Sequence, residues 1–404
     1  MLTMERPHYE MLRDAAHDVV QGNWNPAFEK LELLLTLASD DFLCDALVLK
    51  AILSFKSARL AWGINILRYV AVNWSNVAKE AAAERIAKLL AEPCTFESLS
   101  RYWLAQDTPS ALATASRPAA SGGLAVIAFQ GGLGNQMFQY AAALGWVRRR
   151  HATLRGDESL YRTHPEAVER RYWLHHFCVD VQHASAEELQ TVSEHEHVED
   201  LTRFDNFLFD GGGDVRLTGY WQSELYFTDV EDEVRKSLQL RSKAVREYGR
   251  AYVQSVRRLG KPVIAVHVRR GDFAANPHTF GTLSPAFYTA AAGRFPAGST
   301  FVVFSDNASE LDWCRENIRF RTDDHVVFSE DHSFLFDFAI MTSCDHNIAS
   351  VSSFSWWAAW LNPNPRKKVI VTAPERGRGP LFAHLRGEDY TPKSWIVEQI
   401  PPIA

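Results

Sequence analysis

Leu124-Ala-Val-Ile-Ala-Phe129, then Gln130-Gly-Gly-Leu-Gly-Asn-Gln136, then the amphipathic run over residues 137–149, is the order of segments that decides the fold. An unbroken apolar run bounded by glycines reads as a strand buried on both faces, and the change to helical spacing after it reads as a helix. The same alternation returns downstream. Residues 215–219, 263–268, 300–304, 325–328, 346–349 and 369–372 read as strands, and residues 284–292, 309–317 and 333–342 read as helices among them. This predicts parallel sheet covered by helices on both faces, in two α/β units divided near residues 241–261.

The chain upstream is of another kind. Residues 1–107 are poor in glycine and carry apolar residues at helical spacing, as in Leu31, Leu34, Leu35 and Ala38 or Leu43, Leu47 and Ala51. Asn25-Pro26 and Ser39-Asp40-Asp41 stand where helices begin. About five helices are expected, as a bundle or as helical hairpins. Residues 108–122, rich in Ala, Ser, Thr and Pro, read as a linker.

Composition narrows the function. With 43 Lys+Arg against 49 Asp+Glu, the 404-residue chain has a formal charge of -6 and lacks the basic excess of non-specific nucleic-acid binders. The five cysteines are scattered, odd in number and without a CxxC, which suits reduced, buried thiols. No run reaches the roughly 18 to 20 apolar residues of a membrane span, and residues 1–10 lack the apolar core of a signal peptide. The expected location is cytoplasmic.

Ligands of open α/β sheets bind beyond the carboxyl ends of the strands, so four strand-end segments are candidates for chemistry. In the first, Gly132 and Gly134 let the backbone approach a ligand, the helix start favours an anion, and the amides of Asn135 and Gln136 suit sugar hydroxyls. A dinucleotide fingerprint would place a further glycine where Met137 stands, so a nicotinamide or flavin site is disfavoured; a tight turn without a ligand stays open. The second is His267-Val-Arg-Arg-Gly-Asp-Phe273. Strand geometry puts His267 and Arg269 on one side, with Arg270 starting the turn. Paired guanidiniums there can neutralise a diphosphate, although a solvated basic turn has the same composition. The third, Phe304-Ser-Asp-Asn307, offers Asp306 and Asn307, which are also ordinary turn and capping residues. The fourth, Ala349-Ser-Val-Ser-Ser-Phe-Ser-Trp-Trp-Ala-Ala-Trp360, gathers Ser352, Ser353, Phe354 and Ser355 at a helix start, where phosphate oxygen is favoured. Trp356, Trp357 and Trp360 read as core. Upstream, Asp337 lies between Phe336 and Phe338, and a carboxylate in an apolar run needs a partner. Guanine could supply N1–H and N2–H; a cap or salt bridge would serve as well. Glu194-His-Glu-His197 looks like a metal cluster but lies in a charged, loop-like stretch without a second pair, and His175-His176 reads as structural.

Five pieces, Gly131-Gly-Leu-Gly-Asn-Gln-Met-Phe-Gln-Tyr140, Gly219-Tyr-Trp-Gln-Ser-Glu224, His267-Val-Arg-Arg-Gly-Asp272, Ser305-Asp-Asn307 and Ser352-Ser-Phe-Ser-Trp-Trp357, stand in an order and spacing that resemble the α1,2-fucosyltransferase family, glycosyltransferase family 11. The resemblance covers residues 122–400 and leaves out the helical region. It implies two Rossmann-like α/β domains of GT-B type after the small all-α domain: an acceptor-side domain over 123–258 and a GDP-sugar-binding domain over 259–404. It implies GDP-β-L-fucose as donor substrate, no cofactor and no required metal. The implied reaction inverts the donor and places an α-linked fucose on the 2-hydroxyl of a galactose-like acceptor, in an oligosaccharide or lipid-linked glycan of a bacterial surface. By similarity Arg269 binds the β-phosphate, His267 and Asp337 recognise guanine, and Ser353 with its neighbours holds the phosphates.

Elementary chemistry agrees. A leaving diphosphate needs fixed positive charge, which Arg269, Arg270 and the helix start near Ser353 can supply. A base must take the acceptor proton; Asp272 and Glu224 are the motif carboxylates, Asp272 being preferred, and either could instead orient an arginine. Two other readings stay open: a glycosyltransferase using another GDP-sugar or acceptor, and an inactive GDP-binding relative with a scaffold role. Residues 1–107 are expected to dock a protein or membrane-surface partner, which would put the enzyme at the cytoplasmic face of an inner membrane.

Overall fold

The computed structural model describes residues 6–23, 26–27, 30–31, 34, 40–56, 70, 76–90, 122–163, 171–201, 203–275, 280–330, 333–373, 387 and 389–398. The chain forms two compact units, one made of Met1–Gly132, Ala142–Tyr172 and Val181–Trp221, the other of Leu133–Ala141, Trp173–Asp180 and Gln222–Ala404.

Three N-terminal helices are described: α1 (Arg6–Gln21), α2 (Asp40–Lys56) and α3 (Asn76–Leu90), each packed on the other two. On α1, Leu12, Ala15, Ala16 and Val19 are buried, the i, i+3, i+4, i+7 stripe of a helix with one wet face. By contrast α2 buries residues all round, including Asp45, whose carboxylate accepts from Nε and Nη2 of Arg85 on α3 at 2.7 and 2.6 Å. The remaining expected helices and the 108–122 linker lie outside the described residues, apart from Gly122.

The first sheet is wholly parallel, in the order β3 (Gln182–His183), β2 (Thr153–Asp157), β1 (Leu124–Ala128), β5 (Val215–Thr218), β4 (Glu196–Val198). Its central strand β1 is the apolar run of the opening segment. Two corrections concern this region. Residues 196–198 of the charged stretch are an edge strand rather than a loop, because an edge pairs on one side only and tolerates charge. The helix after β1, α4 (Leu133–Arg150), starts four residues before Met137, so Gly134, Asn135 and Gln136 occupy its first turn.

The second sheet is also parallel, in the order β11 (Ile396–Val397), β10 (Val369–Val371), β9 (His346–Ile348), β6 (Val263–His267), β7 (Thr300–Phe304), β8 (His325–Phe328). After α5 (Ala186–Val192) of the first unit, helices α6 (Lys243–Val256), α7 (Gly271–Ala275), α8 (Pro285–Ala292), α9 (Ala308–Asn317), α10 (Phe334–Ser343) and α11 (Ser353–Leu361) alternate with the strands of the second sheet. Ile264, Val266, Phe287, Tyr288, Phe301 and Val303 are fully buried in its core. From β6 the chain winds outward through β7 and β8, then returns to the other side of β6 as β9. Connections therefore diverge between β6 and β9, opening a crevice at their carboxyl ends. Cys44, Cys314 and Cys344 are buried free thiols as expected, whereas Cys178 is exposed.

Candidate active site

The crevice is where two of the four segments meet. Val266 of β6 pairs with Ile348 of β9, so the next residues, His267 and the Ala349-Ser350 turn, emerge side by side. His267 is buried, and its Nδ1 lies 2.8 Å from the Ser350 hydroxyl. Burial, aided by the Arg269 charge, pushes the imidazole pKa down to about 3, so the ring is neutral at physiological pH. Ser355, also buried, sits 3.4 Å from the Ser350 hydroxyl.

Two residues on, the arginines part company. Arg269 is paired with the Asp306 carboxylate, which also accepts from the backbone N–H of Arg270 at 2.9 Å. Arg270 turns to Glu310 of α9 at 2.8 Å and lies 3.7 Å over the Trp313 ring. The Ser305-Asp-Asn307 segment therefore shapes the arginine turn: Ser305 donates to the carbonyl of Val268 at 2.9 Å, and Asn307 caps α9 by accepting from Glu310 N–H at 3.0 Å.

The glycine segment supplies a close approach. A Cβ on Gly134 would lie 2.4 Å from the Ser353 carbonyl carbon and 2.5 Å from the Phe354 nitrogen. Only glycine lets the first turns of α4 and α11 touch this way. Two helix starts, each with unpaired N–H groups and a partial positive charge, thus converge on one place, a strong preference for an anion. The side-chain oxygens beside Gly134 accept hydrogen bonds within the fold: Asn135 accepts from Gln222 Nε2 at 2.8 Å, and the fully buried Gln136 accepts from the Trp173 N–H at 2.8 Å. Trp173 in turn meets Phe334 edge-on, with ring centroids 4.7 Å apart.

Phe334 opens α10, whose first turn carries Asp337. Burial pushes this carboxyl up to about 7, although the Ser329 hydroxyl donates to it at 2.6 Å and pulls the other way. The next residue, Phe338, packs edge-on against Phe354, whose ring stands 5.8 Å from His267. His267, Phe354 and the two helix starts therefore form one connected set within the second unit, and Asp337, held by Ser329, stands one residue before Phe338 on α10.

The family model described as Glycosyl transferase family 11 matches residues 196–398, half of the chain. The chain belongs to glycosyl transferase family 11. It is a fucosyltransferase-like glycosyltransferase, 24% identical over 299 residues to an alpha-1,2-colitosyltransferase of Escherichia coli, covering 68% of this chain and 98% of that protein. To galactoside alpha-(1,2)-fucosyltransferase 2 of Mus musculus it is 35% identical over 156 residues, covering 36% of this chain and 44% of that protein. Among solved structures, POFUT1 in complex with GDP is similar at TM-score 0.38 and 15% identity, covering 62% of this chain and 98% of that one.

Within this family 11 chain, two carboxylates are named for the base. Glu224 accepts from Trp360 Nε1 at 3.1 Å, and burial raises its pKa. Trp360 is seven residues along α11 from Ser353, about 10 Å at about 1.5 Å per residue, so this carboxylate is anchored at the far end of α11 from its first turn. Asp272 is the second residue of α7; its side chain lies outside the described residues. Among the described residues no three His, Cys, Asp or Glu side chains converge as a metal-binding group, and no helix is long and apolar enough to cross a membrane. His197 of the charged stretch instead bonds Asp205 at 2.6 Å and stacks on Phe207. Sequence reasoning missed Ser350 and Ser329 as partners of His267 and Asp337. Each stands one or two residues past a strand end, a position the fold defines and local composition does not mark.

Proposed function

We propose that the protein transfers L-fucose from GDP-β-L-fucose to the 2-hydroxyl of a galactose-like acceptor, forming an α1,2 linkage with inversion, in the assembly of a bacterial surface glycan. The observation that carries this reading is the anion-seeking junction of α4 and α11, together with the Arg269–Asp306 pair two residues past the end of β6, in a chain of family 11. On this reading the donor diphosphate lies at the junction, and guanine offers N1–H and N2–H to Asp337. As the C1–O bond breaks, the leaving diphosphate gains a negative charge. Arg269, held by Asp306, and the two helix starts would supply fixed positive charge for it, so the charge is stabilised with little reorganisation. Asp306 keeps the Arg269 guanidinium in place. The acceptor hydroxyl attacks C1 from the opposite face and gives its proton to a base, for which Asp272 is the proposed residue. The acceptor is assigned to the side of the first sheet.

One observation favours a second donor. One relative matched over nearly its whole length is named a colitosyltransferase; colitose is L-fucose without its 3-hydroxyl, and this name and that of the Mus musculus relative share the 1,2 linkage. The deciding experiment offers GDP-fucose, GDP-colitose, GDP-mannose and UDP-galactose to galactose-terminated acceptors in EDTA, with products read by mass spectrometry and NMR. A 2-linked fucose from GDP-fucose alone is the expected result. Product from GDP-colitose alone would keep the chemistry and replace the sugar, and product from UDP-galactose alone would overturn the guanine site.

A further inference from the structure

Ser350 stands at the junction of two hydrogen-bonding tasks. Its hydroxyl oxygen has two side-chain neighbours, Nδ1 of His267 at 2.8 Å and the Ser355 oxygen at 3.4 Å. Only the first is within ordinary hydroxyl hydrogen-bond length. Ser355 has its own outlets, the carbonyls of Ser352 at 3.2 Å and of Ser350 at 3.4 Å, and carbonyls only accept. The hydrogen of the buried Ser350 hydroxyl thus has one good acceptor, Nδ1. Were Nδ1 protonated instead, that hydrogen would be left facing an oxygen 3.4 Å away, at the cost of a buried unsatisfied donor.

We propose that Ser350 is a positioning residue that donates to Nδ1 of His267, fixing the ring proton on Nε2 and presenting Nε2–H as a donor to the 6-oxo edge of a purine. The proposal rests on the donor reading above and deepens it. Among the described residues His267 makes no second hydrogen bond, which leaves Nε2 for the ligand. The neutral ring carries one proton, so fixing Nδ1 as acceptor fixes Nε2 as donor. Guanine complements this arrangement: O6 and N7 accept, while N1–H and N2–H donate to a carboxylate such as Asp337. Adenine presents an amino donor at position 6, which would oppose Nε2–H. Because β6 carries His267 and the turn after β9 carries Ser350, the pair spans the point where connections diverge, and the base-reading imidazole is tied to the segment that opens α11.

Two measurements test this. The full-length protein labelled with 15N-histidine, with the His267 signals identified by their loss in His267→Gln, reads the tautomer directly. The expected wild-type spectrum has an unprotonated Nδ1 and a protonated Nε2 between pH 6 and 8, and Ser350→Ala gives a tautomer mixture. Ser355→Ala keeps the wild-type tautomer, since Ser355 does not touch the ring. Titration calorimetry with GDP and ADP should show GDP bound about tenfold more weakly by Ser350→Ala, with a smaller preference over ADP. A protonated Nδ1 in the wild type, or an unchanged tautomer in Ser350→Ala, overturns the proposal. Should Ser350→Ala fail to fold, the wild-type spectrum still decides. A wild-type protein that binds no GDP would sink the donor reading and leave the tautomer result standing.

Discussion

The two sheets end their central strands in opposite ways. At the carboxyl ends of β1, β4 and β5 the polar side chains serve the backbone. Glu199, buried just past β4, accepts from the N–H groups of Tyr220 and Trp221 at 2.6 and 2.8 Å, and so holds Trp221 at a φ of 43°. A Cβ on Gly219 would lie 2.4 Å from the Glu199 Cβ, so the turn is locked around that carboxylate, and Tyr161 donates to the carbonyl of Gly131 at 2.8 Å. At the ends of β6 and β9, by contrast, stand a neutral imidazole, a guanidinium and two helix starts, groups that a ligand can use. The difference teaches that burial of a charged group does not by itself mark a site. What matters is whether its hydrogen bonds close on the protein's own backbone or leave an atom over.

That contrast can be broken from either side. Arg269→Ala should cost most, lowering kcat/KM about 10²- to 10³-fold, while circular dichroism and melting stay near wild type because the side chain is one-third exposed. Wild-type turnover would remove Arg269 from the donor site. Next comes Gly134→Ala. The atoms its Cβ would meet are backbone and cannot swing aside, so the start of α11 must shift at a cost of about 1–3 kcal/mol, and GDP affinity measured by calorimetry should drop at least tenfold.

The first sheet should respond in the other currency. Glu199→Gln removes the charge from an acceptor shared by two N–H groups and should lower urea-unfolding stability by about 1–2 kcal/mol, with GDP affinity unchanged within about twofold. A loss of GDP binding with intact stability would mean that the turn serves the donor directly. The smallest effect concerns pH. With its pKa raised to about 7 by burial, Asp337 loses its negative charge as pH falls, and a protonated carboxyl accepts poorly from N1–H and N2–H. The donor KM should rise about tenfold from pH 8 to pH 6, and the same profile for Asp337→Asn should be weak and flat.

Much of this was legible in the residues. The strands β6 to β10 of the second sheet read correctly, most clearly β6 and β7, whose fully buried Val, Ile and Phe leave an unbroken apolar signature, whereas the exposed two-residue edge strand β11 left none. Thr153–Asp157 carried no such signature and was not anticipated; it is polar and only half covered, and its pairing with β1 makes it a strand. The early start of α4 was hidden for a different reason. Glycine weakens a helix locally, and its presence at 134 answers to Ser353, more than two hundred residues away. That the Asp306 carboxylate holds the Arg269-Arg270 turn was not legible, because this task appears only once β6 and β7 lie side by side.

The touching starts of α4 and α11 carry one more consequence. On the proposed reading they face a diphosphate, and His267 and Asp337 face a purine. None of these groups addresses the sugar. The spent nucleotide retains every feature that they recognise and carries one more negative charge than the intact donor. A site organised in this way holds its by-product at least as firmly as its substrate. With GDP-fucose as the proposed donor, the pace of successive turnovers would depend on how quickly GDP is cleared, by dissociation or by a phosphatase that consumes it.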